Sequence, residues 1–176
     1  MHEIFKTKHL NLYQEFPFHH LMVNTSVFGV LIDEGDARFQ YSEKFLLFGI
    51  CRLIELQINE IILKEIEMIP ESIKTQIMSI LYSTIDIQNI KSPIKISNET
   101  KKLSNLYRKK LRIPLSDSLI IASTSVNKLD GIISWDIKDI VNPKNRIIIN
   151  EINQKRNYKE ILLLTPEEYV NKFPYF

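Results

Sequence analysis

Short apolar runs alternate with longer stretches of helical periodicity along this chain of 176 residues. Leu21-Met22-Val23 is the first run. Asn24-Thr25-Ser26 ends it with side chains that cap helices, and a short helix over 27–32 follows. Asp33-Glu34-Gly35-Asp36 breaks that helix. Phe39, Phe45, Leu46, Ile50 and Leu53 fall near helical spacing, which predicts a long helix over 37–53. Residues 54–58 read as a second strand, and Asn59 caps a helix that runs to about Met68. Pro70 ends it and starts the next, over 71–82. Ile85-Asp86-Ile87 reads as a weak strand. Beyond Pro93, residues 97–111 form a basic helix with Leu103, Leu106 and Tyr107 on one side. Pro114-Leu115-Ser116-Asp117 opens a helix that continues to about Val126. Asp130-Gly131 is a turn, and Ile132-Ile133-Ser134-Trp135 is a third strand. Asn142-Pro143 punctuates a loop, and 146–156 fits neither period cleanly. Residues 161–164 are a last strand, and Pro166 begins a terminal turn.

Strands that alternate with helices and carry little polar alternation of their own belong in a parallel sheet covered on both faces. The 29 isoleucines fit that reading, because β-branched side chains favour buried strands. The predicted class is α/β, a three-layer α/β/α sandwich around a central, mainly parallel sheet. The length suits one domain, over 21–176, preceded by an N-terminal extension over 1–20 that packs loosely or caps an edge.

Composition removes several function classes. One cysteine, Cys51, leaves no disulfide within the chain and no Cys-based zinc site. The four glycines fit neither G-x-G-x-x-G nor G-x-x-x-x-G-K-[ST], which excludes those two nucleotide-binding loops. No apolar run reaches the ~18–20 residues of a membrane span. The N-terminus lacks the apolar core of a secretory signal, so a cytoplasmic location is expected. Net charge is +2, but residues 91–112 hold eight basic residues and one acid, Glu99. That segment carries +7 and the remainder −5. Its helix is either a solvated face or a guide for an RNA backbone.

Ligands of open α/β sheets collect at the carboxyl ends of the strands. Four side chains map there or on the adjoining helices: Asn24, Glu65, Asp117 and Asp136. Converging carboxylates repel and raise one another's pKa, so such a cluster persists around a hard divalent cation such as Mg²⁺ or Mn²⁺. Each residue also has a plainer reading. Asn24 caps a helix, Glu65 lies on a solvated face beside Lys64, Asp117 charges a helix start, and Asp136 competes with Asp139 for a turn. Thr25 and Ser26 either orient the first site residue or cap. His19-His20 lacks a third ligand at metal spacing, Trp135 suits the core, and Phe173-Pro174-Tyr175-Phe176 either docks a partner or closes the core.

Leu21-Met22-Val23-Asn24-Thr25-Ser26-Val27-Phe28-Gly29 resembles the opening of PIN-domain ribonucleases, a hydrophobic strand followed by Asp-Thr-Ser-Val-Phe. Asn59-Glu60-Ile61-Ile62-Leu63-Lys64-Glu65-Ile66 is similar to the family's second motif, with its metal-site Glu at Glu65. Leu115-Ser116-Asp117-Ser118-Leu119-Ile120-Ile121-Ala122-Ser123 resembles the third, with its helix-start Asp at Asp117. The stretch from Ile132 to Pro143 resembles the fourth, with Asp136 at the family's Asp or Asn. Ile161-Leu162-Leu163-Leu164-Thr165-Pro166-Glu167-Glu168 resembles the end of VapC-like members. The resemblance spans about 21–168. It implies an α/β/α sandwich and Mg²⁺- or Mn²⁺-dependent RNA cleavage by a metal-activated water, with Asn24, Glu65, Asp117 and Asp136 as catalytic and metal-site positions. It also implies a toxin role with a protein antitoxin, and a homodimer. The chain departs from the pattern at Asn24, where the family has Asp. Loss of that charge implies weaker metal binding and impaired cleavage, whether the residue is engineered or natural. The alternative is a PIN-fold module that binds RNA or protein without catalysis; a DNA-directed nuclease of similar fold is a third reading.

Overall fold

The computed structural model describes residues 20–172. Four strands form one parallel sheet in the order β2-β1-β3-β4. They are β1 (His20–Val23), β2 (Glu55–Gln57), β3 (Gly131–Ile133) and β4 (Leu162–Leu164). Leu21 pairs with Leu56 on one side and Gly131 on the other, and Ile132 pairs with Leu163. Leu21, Met22, Val23, Ile132 and Ile133 are fully buried, as strands covered on both faces must be.

Nine helices are described: α1 (Thr25–Val30), α2 (Phe39–Ile50), α3 (Glu60–Glu67), α4 (Glu71–Thr84), α5 (Ile87–Lys91), α6 (Asn98–Leu111), α7 (Leu115–Val126), α8 (Pro143–Lys155) and α9 (Pro166–Lys172). Asparagine and serine start several of them. Asn24 Oδ1 accepts from Ser26 N at 3.0 Å, Asn59 Oδ1 from Ile62 N at 3.0 Å, and Ser97 Oγ from Thr100 N at 3.1 Å. Two helical groups cover the sheet, giving the three-layer α/β/α sandwich expected. In one group α2 meets α9, with Phe45 edge-on to Tyr169 at 5.3 Å between ring centroids. In the other, α6, α7 and α8 interlock through Tyr107, Ser125 and Asn153.

Two local expectations are corrected, and one stretch left open is resolved. Ile85-Asp86-Ile87 is not a strand: Asp86 caps α5 by accepting from Gln88 N at 2.8 Å. Its apolar alternation arises because Ile85 is buried below α4 while Ile87 is 48% exposed. The ambiguous stretch over 146–156 lies largely in α8, started by the Asn142 cap and Pro143 at its first turn. The segment from Pro166 is a helix rather than a turn. His20, counted with the N-terminal extension, already pairs with Glu55 in the sheet. Residues 1–19, including His19, and Phe173-Pro174-Tyr175-Phe176 lie outside the described residues. No described helix is long and apolar enough to cross a membrane.

The β3–β4 approach depends on the absence of a side chain at Gly131. A Cβ there would meet Leu162 O at 2.6 Å and Leu162 Cβ at 2.9 Å, both on the paired strand. Gly131→Ala is expected to destabilise by about 1–3 kcal/mol through overpacking. The thermal midpoint should fall by about 5 °C, measured by circular dichroism.

Candidate metal centre

Sheet register positions the site. Val23 pairs with Ile133, so Asn24 and Ser134 leave the sheet side by side at its carboxyl end. Asn24 N donates to Ile133 O at 3.0 Å, and Asn24 is 6% exposed. Two serines then shape the following loop. Ser26 Oγ accepts from Trp135 N at 3.0 Å, and Ser134 Oγ accepts from Asp136 N at 3.0 Å. Asp136 Oδ1 accepts from Lys138 N at 3.1 Å and Asp139 N at 2.9 Å, which coils the chain so that both acids face one space. Asp117 arrives from the first turn of α7.

Carboxylate oxygens of Asp117, Asp136 and Asp139 all lie within 4.8 Å of one another, and all three residues are half-buried. Glu65 joins this group electrostatically. Burial, followed by the charges of Asp136, Asp139 and Glu65, pushes the Asp117 carboxyl up to about 7. Thr25 Oγ1 donates to Glu65 Oε2 at 2.5 Å, tying α3 to the residue beside Asn24. Of the four positions singled out in the sequence, Asp117 and Asp136 meet in the cluster; Glu65 is not among the carboxylates that meet within 4.8 Å and reaches the group through its charge and the Thr25 bond, while Asn24 is placed by sheet register at the same end of the sheet. Asp139, ranked behind Asp136 in the sequence, stands in the cluster with it. Asn24 supplies the cap, and the side chains of Thr25 and Ser26 each bond to a segment that carries an acid. Trp135 is packed as expected, its Nε1 donating to Ser42 Oγ at 2.8 Å with the Arg38 guanidinium 5.7 Å over its ring.

The donor chemistry fits a hard divalent cation. The ligands on offer are carboxylate oxygens, which suit Mg²⁺ or Mn²⁺. The charges of Asp136, Asp139 and Glu65 all push the Asp117 carboxyl up, so a bound cation would relieve a repulsion already present in the group.

Comparison with known proteins adds a fold. No family model matches the chain, and no curated protein matches it in sequence. Among solved structures it is similar to a chain of VapBC2 from Rickettsia felis bound to a DNA fragment from their promoter. The TM-score is 0.52 at 15% identity, covering 83% of this chain and 98% of that one. The fold is PIN-like. At that identity the likeness speaks for architecture, and the chemistry must be argued from the residues.

A raised carboxyl makes a prediction about stability. Asp117 titrates near 7 when folded and near its ordinary 3.8 when unfolded. Its protonated form is thus favoured by the fold. That stabilisation is complete below about pH 4 and lost as the pH rises through about 7. Metal-free protein should melt at a lower temperature at pH 8 than at pH 5. Asp117→Asn should flatten that fall and raise the pH 8 midpoint, read by differential scanning fluorimetry in a chelator.

Proposed function

We propose that this protein is a metal-dependent endoribonuclease, the VapC-like toxin of a type II toxin–antitoxin pair, with catalysis impaired by Asn24. The single observation that carries the reading is the convergence of Asp117, Asp136 and Asp139, with Glu65 in their field, at the carboxyl end of a PIN-like sheet. Asp117, Asp136 and Glu65 would hold Mg²⁺ or Mn²⁺, Asn24 would offer a neutral oxygen beside them, and Asp139 is the added donor. A bound divalent ion would supply water activation and charge stabilisation at a phosphodiester. The chain's own part is to fix the acids. Thr25 holds Glu65, Ser134 holds the Asp136 backbone, and Asp136 holds Asp139. Carboxylates engaged on a metal would leave the attack to water, so a direct hydrolysis suits the cluster.

A protein antitoxin fits the apolar rim. Leu115 is 50% exposed and Ile137 is 67% exposed, and they flank Asp117 and Asp136 in the chain. A homodimer and a cytoplasmic location belong to the same proposal. The alternative, a PIN-fold RNA- or protein-binding module without catalysis, is favoured by one observation: Asn24 Oδ1 already accepts from Ser26 N, so the side chain has a complete structural role as it stands.

The test uses RNA cleavage with Mn²⁺ in the N24D variant. Cleavage that stops with a chelator and with a second substitution, Asp117→Asn, supports the nuclease. RNA binding without cleavage supports the alternative. Cleavage of DNA in preference to RNA would overturn the substrate.

A further inference from the structure

We infer that the solvent face of α6 is a track for an RNA backbone, a contact outside the acidic cluster; the inference rests on the RNA reading above. Successive residues of an α-helix turn by about 100°. Lys101, Lys102, Arg108 and Lys109, with Asn105 among them, therefore share roughly one third of the circumference of α6. All five are exposed. Glu99, the one acid of the helix, points elsewhere: its Oε1 accepts from Tyr158 Oη at 2.7 Å. The opposite side is anchored by Ser104 Oγ, 2.7 Å from Ser118 Oγ of α7, and by buried Tyr107.

Helix stability does not account for this stripe. None of its four cations forms an ion pair with a described residue. Neighbouring lysines and arginines repel, and ordinary solvated faces intersperse both signs. Lys101 and Lys102 lie toward the start of the helix, where the macrodipole offers cations no gain. Only Arg108 and Lys109 are placed where it favours cations. The helix also ends on Arg112 at φ 58, a left-handed conformation that glycine adopts more readily. A row of repelling cations that no described residue pairs with suits a polyanion from outside. Its position suits the substrate of the acidic site. After α6, residues 112–114 lead straight into the first turn of α7, which carries Asp117. An RNA bound along α6 would reach the cluster by that end, with about 16 Å of helix from Lys101 to Arg112 available for phosphates.

The chain as it stands, with Asn24, lets binding be measured with little cleavage. A single-stranded RNA of about 20 nucleotides is titrated against it at several salt concentrations, beside Lys102→Gln/Lys109→Gln and beside Arg112→Gly. The expected result is about tenfold weaker binding for the double variant, with its salt slope reduced by about 1.4, two single-strand phosphate contacts' worth. Arg112→Gly should weaken binding while leaving the thermal midpoint unchanged or higher, because glycine suits that backbone. Unchanged affinity and slope in a well-folded double variant would overturn the track while leaving RNA as substrate. Failure of every form to bind RNA would overturn the track and remove support from the RNA reading. A preference for an acidic protein over RNA would also overturn it. In the N24D background, cleavage of a tetranucleotide should be unaffected by the double substitution, whereas KM for the long RNA should rise about tenfold.

Discussion

Asn24→Asp is expected to raise Mn²⁺-dependent RNA cleavage by at least about a hundredfold, a change of about 2.7 kcal/mol in the barrier. The fold tolerates the change. Asn24 Oδ1 accepts from Ser26 N at 3.0 Å, and an aspartate oxygen caps a helix equally well. The gain is electrostatic. Unit charges about 4 Å apart interact by about 4 kcal/mol at the effective dielectric of a partly exposed site, and a divalent ion feels more. A hundredfold is therefore a modest demand on one restored charge. The same charge acts against the empty site, where it adds to the repulsion already felt by Asp117. Metal-free N24D protein should thus melt below the parent at pH 8, and Mn²⁺ should raise its midpoint more than the parent's. Asn24→Ala separates the two roles: it loses the cap, at about 1 kcal/mol, and gains no activity. Cleavage is read on a labelled RNA at saturating Mn²⁺. An N24D protein that binds Mn²⁺ and RNA yet leaves the RNA intact would turn the assignment to the binding module.

The strands were legible because burial on both faces leaves uninterrupted apolar residues. Leu21-Met22-Val23 and Ile132-Ile133 lie in strands where the pattern placed them. Order within the sheet was not legible, because parallel pairing joins residues about 110 apart, as Leu21 and Gly131 are. One error came from giving apolar pattern more weight than a cap, and one stretch stayed open for want of the same signal. Asp86 and Asn142 are helix-start residues, and each begins a helix: Asp86 accepts from Gln88 N, and Asn142 accepts from Lys144 N and Asn145 N beyond Pro143. At the candidate site, individual acids could be found from strand ends, and the family resemblance selected among them. What stayed hidden was their support. The Thr25–Glu65 hydrogen bond spans 40 residues, and no local signal announces it. Asp139 was visible but ranked second, because the sequence treats two acids three residues apart as rivals. The turn held by Asp136 Oδ1 makes them neighbours instead.

Asn153→Leu is expected to cost about 3–4 kcal/mol, the largest stability loss predicted for one side chain in this protein. Asn153 is fully buried between three elements. Its Oδ1 accepts from Tyr107 Oη of α6, and its Nδ2 donates to Ser125 Oγ of α7 at 3.0 Å and to Lys159 O at 3.2 Å. Leucine keeps much of the volume and removes all three bonds. Tyr107 is itself fully buried, and burial holds its phenol far above the ordinary range, so ionisation offers no escape. Tyr107 Oη retains Ser125 Oγ at 3.2 Å, but the Lys159 carbonyl and one capacity of each hydroxyl are left without a partner. Thermal unfolding should shift down by about 10 °C. Tyr107→Phe alone should cost about 1–2 kcal/mol, since the partners it abandons are fewer. The combination should cost less than the two losses added together, because removing both partners of a buried bond leaves fewer orphaned groups than removing one. Strict additivity in that cycle would mean that the two side chains do not share an interaction. The network locks α6 and α8 onto α7, the helix that presents Asp117. Below its new melting point the Asn153→Leu protein should therefore keep its Mn²⁺ affinity, because loosening the network lowers the population of folded protein rather than rearranging the acids within it.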